Sequence, residues 1–239
     1  IYSMMDNVSL TNCIIQNNEA LNTGGGLYDS LKDGGQSGYH TNCIITGNIA
    51  GSKGGGVYMG LAFGGLYDCE ISNNSADEGG GIYSYFGIWA GIFSCRIINN
   101  NSTSDGGGIK SIISDQFTFY DNIISGNSAG GSGGGMHLQD GTDQTILHSC
   151  LFSVILANTG AGIYAINFDG SFINFTVAAN RSLANGGGIA NNSSNSLIKN
   201  AIIYGNTSVP AATAAFYNVA STPDVDYSLV QGGYVGTRN

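Results

Sequence analysis

The chain has 239 residues, 42% of them hydrophobic, and carries a net charge of −9 from 7 basic and 16 acidic side chains. Such an acidic surface repels nucleic acid and anionic membrane surfaces, so neither is expected as a partner. No stretch of about 18 apolar residues provides a membrane-spanning helix, so no membrane insertion is expected in this segment. Glycine is abundant (39 residues) without collagen's every-third-residue spacing.

Read from the N-terminus, the chain repeats one unit. Ile1-Tyr2 opens it as though a repeat were cut, and no signal-peptide pattern precedes it. The first unit has Leu10, then Cys13, Ile15 and Asn18, then Gly24-Gly25-Gly26-Leu27-Tyr28. The second has His40, Cys43, Ile45, Asn48 and Gly54-Gly55-Gly56-Val57-Tyr58; the third has Leu66, Cys69, Ile71, Asn74 and Gly79-Gly80-Gly81-Ile82-Tyr83. Ile92, Cys95, Ile97, Asn100 and Gly106-Gly107-Gly108-Ile109-Lys110 follow, then Phe119, Asn122, Ile124, Asn127 and Gly133-Gly134-Gly135-Met136-His137. The sixth unit reads Leu147, Cys150, Phe152, Ile155 and Gly160-Ala161-Gly162-Ile163-Tyr164. The last two carry Phe172, Phe175, Val177, Asn180 and Gly186-Gly187-Gly188-Ile189-Ala190, then Ile198, Ala201, Ile203, Asn206 and the decayed Thr213-Ala214-Ala215-Phe216-Tyr217.

The glycine runs are spaced by 30, 25, 27, 27, 27, 26 and 27 residues. A fixed period in this range marks a solenoid. Alternation of apolar positions is the period of a strand, and no window sustains the apolar spacing of a helix. The expected fold is all-β: a single-stranded parallel β-helix of about 27 residues per coil and roughly eight coils over 1–217. Residues 218–239 read as an irregular terminal segment or a final partial coil. Each coil alone buries little apolar surface; stacking makes one continuous core.

Identical residue types then stack, one strand spacing apart. Asn18, Asn48, Asn74, Asn100 and Asn127 are expected to form a ladder at a tight corner, each amide donating to one neighbour and accepting from the other. Ile155 interrupts that column, with Asn158 closer to the glycines, and Asn180 and Asn206 resume it. The glycines mark a second corner. Cys13, Cys43, Cys69 and Cys95 share a column followed by Cys150 after Asn122, and read as a buried stack of thiols. Zinc spacing is missing, and neighbouring Cβ vectors that point the same way disfavour bridging.

The paired signals Gly-Gly-Gly-Ile and Ile-x-x-Asn resemble the Gly-Gly-Ala-Ile and Phe-x-x-Asn repeats of chlamydial polymorphic outer-membrane proteins. They are equally similar to the right-handed β-helix repeats of large secreted surface proteins of Bacteroidetes and related bacteria. Val225–Tyr234 resembles the stretch that ends such helices. The resemblance covers essentially the whole chain and implies right-handed coiling, that is a right-handed parallel β-helix, in a passenger or stalk of an exported, adhesin-like protein, extracellular or at the cell surface. Glycine where the chlamydial repeat prefers alanine, and the cysteine column, depart from that pattern.

Three functional readings follow. A non-enzymatic structural or adhesive module would use an outward-facing aromatic stripe, Tyr28, Tyr58 and Tyr83, against a glycan or a surface protein; the competing reading of these tyrosines is a stack that shields the corner. A polysaccharide lyase or hydrolase on the same scaffold would need clustered carboxylates. The weak candidates for a metal site or a catalytic pair are Asp77, Glu78 and Asp105, which also read as a solvated turn. No catalytic triad can be assembled, and neither a resident metal nor a cofactor is expected. The third reading is a self-stacking fibre subunit. Uncapped strand edges predict that the native polypeptide is longer, or that further coils or like subunits cover the ends.

Overall fold

The computed structural model describes the chain except residues 5–7, 31–37, 61–63, 86–89, 114–116, 141–148, 152, 185, 210 and 234–239. It is a parallel β-solenoid of about seven turns, each of about 27 residues. One nine-stranded sheet starts at Tyr2–Met4 and Leu27–Ser30 and ends at Phe216–Val219, taking the strand that follows each glycine run. A second nine-stranded sheet runs from Ile14–Gln16 to Leu229–Val230, and an eight-stranded sheet runs from Tyr39–Thr41 to Asp224–Asp226. A short fourth sheet of two-residue strands, Glu19–Ala20 to Ser128–Ala129, continues as single bridges through Thr159, Arg181 and Thr207. Residues 218–233 therefore continue the coil: Asp224–Asp226 pairs with Leu197–Lys199, and Leu229–Val230 with Ile202–Tyr204.

Strand alternation sends the predicted apolar columns inward. Leu27, Val57, Ile82, Ile109, Met136, Ile163 and Ile189 are fully buried, as are Ile45, Ile71, Ile97, Ile124, Ile155, Val177 and Ile203. Cys43, Cys69 and Cys95 are buried too, and Cys13, Cys43, Cys69 and Cys95 are free thiols. The Cys69 sulfur accepts the Cys43 N–H at 3.4 Å, and the Cys95 sulfur accepts that of Cys69 at 3.4 Å.

The asparagine ladder is continuous, which corrects the expected break at Ile155. From Asn18 Nδ2 to Asn48 Oδ1 the distance is 2.9 Å, and the chain of amides proceeds through Asn74, Asn100 and Asn127. Asn127 then donates to Asn158 at 3.1 Å, Asn158 to Asn180 at 2.8 Å and Asn180 to Asn206 at 3.0 Å. The second hydrogen of most amides goes to a core carbonyl of an adjacent coil, as from Asn100 to Ile71 at 2.9 Å. Register explains the discrepancy: Ile155 pairs with Ile124, and Cys150 pairs with Phe119. Ser153, not Cys150, therefore follows Asn122 in the cysteine position, accepting the Asn122 N–H at 3.3 Å. Leu147 and Phe152, assigned to columns by spacing, lie outside the described residues.

The glycine period hid this slip because two length changes cancel. Between Asn127 and Gly133 stand five residues, but between Asn158 and Gly160 only Thr159. The residues lost at that corner are regained in the stretch containing 141–148, before Ser149–Leu151. A second correction concerns backbone angles. The left-handed residue of the corner is the one before each ladder asparagine: Asn17, Gly47, Asn73, Asn99 and Gly126 have φ of 54° to 66°. Each ladder amide is thereby left free to bond along the stack.

Candidate functional site

The position after each inward apolar residue forms one column along the first sheet. In register it runs Tyr2, Tyr28, Tyr58, Tyr83, Lys110, His137, Tyr164, Ala190, Tyr217. The first four rings stack, with centroids 4.6, 4.9 and 5.6 Å apart and the last two pairs within 4° of parallel. These separations follow the roughly 4.8 Å strand spacing, so backbone pairing itself sets the stack.

The column points away from the core, yet its centre is covered. Tyr83 is only 1% exposed, Lys110 5% and His137 6%, while Tyr28 and Tyr58 are half-buried. This corrects the expectation of an open aromatic face at Tyr83. The corner residues ahead of the glycines fold over it: the Lys53 ammonium lies 4.8 Å from the Tyr83 ring centre, and Glu78 of the next coil lies 4.0 Å from that ammonium. Burial raises the Tyr58 and Tyr83 phenols to about 12, with neighbouring tyrosines adding at Tyr58 and Glu78 at Tyr83. Both stay neutral hydroxyls across the physiological range.

The acidic residues singled out by sequence do not sit as a free carboxylate cluster. Lys110 Nζ donates to Glu78 Oε1 at 2.7 Å and to Asp105 Oδ2 at 3.0 Å. Asp105 Oδ1 accepts the Ser132 N–H at 2.8 Å, and Asp77 accepts the Thr103 hydroxyl at 2.5 Å. Among the described residues no group of three or more His, Cys, Asp or Glu side chains could hold a metal ion. The lysine that closes the pair is the column member after Tyr83, and its place in the column was the available signal. Burial alone would lower Lys110, but its two carboxylate bonds outweigh that and hold it above the ordinary lysine value. Burial alone would raise Asp105; the Ser132 N–H, His137 and Lys110 outweigh it and hold the carboxyl low.

His137 stands 3.7 Å from Asp105, but burial pulls its pKa down to about 4, so it is neutral at pH 7 and the contact is not an ion pair. A histidine with a folded pKa below its unfolded value near 6.5 contributes stability that is complete above that pH and lost as pH falls toward 4. Asp105, held low, loses its contribution in the same acid direction, whereas Lys110 loses its own only above its unfolded value of 10.5. Urea unfolding followed against pH should therefore show a loss of about 3 kcal/mol between roughly pH 6.5 and 4 that His137→Phe removes. An unchanged acid slope in that variant would contradict the burial of a neutral imidazole.

Another buried pair escaped sequence reading. His40 Nε2 lies 3.1 Å from Asp29 Oδ2, with both side chains almost wholly enclosed between the first and third sheets. The sequence showed His40 only as a polar intruder in an apolar column.

The third unit carries the signature most densely: Cys69, Ile71 and Asn74, then Gly79-Gly80-Gly81-Ile82-Tyr83. Residues 68–85 match the Chlamydia polymorphic membrane protein repeat. That repeat here comprises the left-handed corner at Asp68, the ladder at Asn74, the glycine corner and the strand Ile82–Tyr85. The other coils reproduce its geometry through paired registers. No curated protein matches the chain.

Proposed function

We propose that the chain is a non-enzymatic structural and adhesive β-helix module, working outside the cell or at its surface against a glycan or a surface protein. The observation that carries this reading is the polymorphic membrane protein repeat at 68–85, set in a solenoid that repeats its geometry coil after coil. The carboxylates that a lyase or hydrolase would draw on, Glu78 and Asp105, are held by Lys110, which supports a scaffold over the enzyme reading. Adhesion is tested with fluorescent beads coated with the folded chain and offered to cultured epithelial cells. The reading expects saturable attachment that is abolished by unfolding the chain before coating. Attachment no greater than that of albumin-coated beads, or cleavage of polygalacturonate or alginate by the purified chain, would overturn it.

A further inference from the structure

The column of rings is interrupted twice, at Lys110, which Glu78 and Asp105 hold, and at Ala190, where no long side chain stands. Ala190 stands between Tyr164 and Tyr217 in register, so the backbones of the two tyrosines are two strand spacings apart, about 9.6 Å, with the Ala190 side chain buried between them. A ring carried at position 190 would start one strand spacing, about 4.8 Å, from each, the spacing that lets the N-terminal tyrosines stack at 4.6 to 5.6 Å. The shortened corner at Thr159 opens the wall beside this gap. The corners of the flanking coils remain on either side, so a notch is left between them.

The notch has two lobes that share Gly131, Ser182 and Ala184. One, of about 190 Å³, reaches Tyr164, Ala190 and Tyr217; the other, of about 180 Å³, passes over Thr159 and Leu183. Both are smaller than the roughly 300–1,000 Å³ of pockets for drug-sized ligands, so they suit single small rings in succession. Among the described residues no charged side chain lines either lobe. On a chain of net charge −9 that lining disfavours uronates, sialic acids and phosphates. Ser132, Ser182 and Thr159 are the hydroxyl residues of the lining. A single aromatic side chain would fill the gap and leave the second lobe empty.

We propose that this notch binds a neutral glycan, one sugar ring lying in the first lobe against Tyr164 and Tyr217 and the next passing over Thr159. The proposal rests on the adhesive reading and names the ligand class of that module. Ala190→Tyr restores the missing ring. Ala190 is buried beneath the first lobe, so the added ring would have to occupy that lobe.

The test is calorimetric titration of the full chain with cellotetraose, chitotetraose, maltotetraose and mannotetraose, and with 3′-sialyllactose as the anionic control. The expected result is binding of at least one neutral tetrasaccharide, weakened tenfold or more by Ala190→Tyr and by Tyr217→Ser at unchanged melting temperature. If Ala190→Tyr fails to fold, Tyr217→Ser and Tyr164→Ser decide. Binding of none of the neutral sugars, preference for sialyllactose, or folded variants that bind like the wild type would overturn the notch. Bead attachment separates the two readings: beads that adhere while the chain binds no neutral sugar sink the notch and leave the adhesive module standing.

Discussion

Replacing Asn100 with leucine is expected to destabilise the solenoid by about 3 kcal/mol or more, since each buried polar group left unpaired costs about 1–3 kcal/mol. Asn100 Oδ1 accepts both the backbone N–H of Asn74 and its amide, each at 3.0 Å, and Asn100 Nδ2 donates to Ile71 O at 2.9 Å. Leucine ends these bonds, and the one from Asn100 Nδ2 to Asn127 Oδ1 at 3.1 Å, where water cannot replace them, because Asn74 and Asn100 are each 1% exposed. For a chain of this length that loss corresponds to a fall in melting temperature of roughly 6–12 °C. The exposed neighbour Asn101, changed to alanine, should shift stability by no more than about 0.5 kcal/mol. Equal melting temperatures for the two variants would mean that the ladder contributes nothing.

Gly107→Ala should be as damaging, for a steric reason. A Cβ at Gly107 would lie 2.3 Å from Ser128 O and 2.6 Å from Gly134 O, both backbone atoms of the next coil. Neither oxygen can move without pulling a paired strand, so the coils must part locally. Overpacking of this kind costs about 1–3 kcal/mol and sometimes more, and here the upper end is expected. Its neighbour Gly106 has φ of +66° and is glycine for a different reason, the backbone angle. Two separate constraints therefore act on adjacent residues of one run. A Gly107→Ala variant that melts like the wild type would show that successive coils are packed less closely than this.

Repeat period, inward columns and most of the ladder were legible because stacking turns a one-dimensional pattern into a three-dimensional one. Where identical residues recur at one phase, as Ile45, Ile71 and Ile97 do, register follows from spacing alone. Asn158 was not legible as a ladder residue. A shortened corner and a longer stretch of sequence in neighbouring half-coils cancel within one glycine period, and the pairing of Ile124 with Ile155 reveals the offset. Exposure of the tyrosine column was also misjudged. Alternation tells whether a side chain points away from the core, but the path of the corner decides what covers it. Glu78, Asp105 and Lys53 cover Tyr83 and Lys110 through side-chain reach, which no periodicity encodes. The notch shares that origin, since it depends on one corner being too short to cover its rung.

Continuous register through the irregular coil underlies both the scaffold and the proposed binding notch, and Asn158→Leu tests it most directly by thermal unfolding. Asn158 is 1% exposed and bonds to Asn127 and Asn180, so the variant should lose about as much stability as Asn100→Leu, about 3 kcal/mol. A melting temperature unchanged from wild type would contradict the account: the ladder would be broken at that coil, and the rungs on either side of Thr159 would not be placed as described.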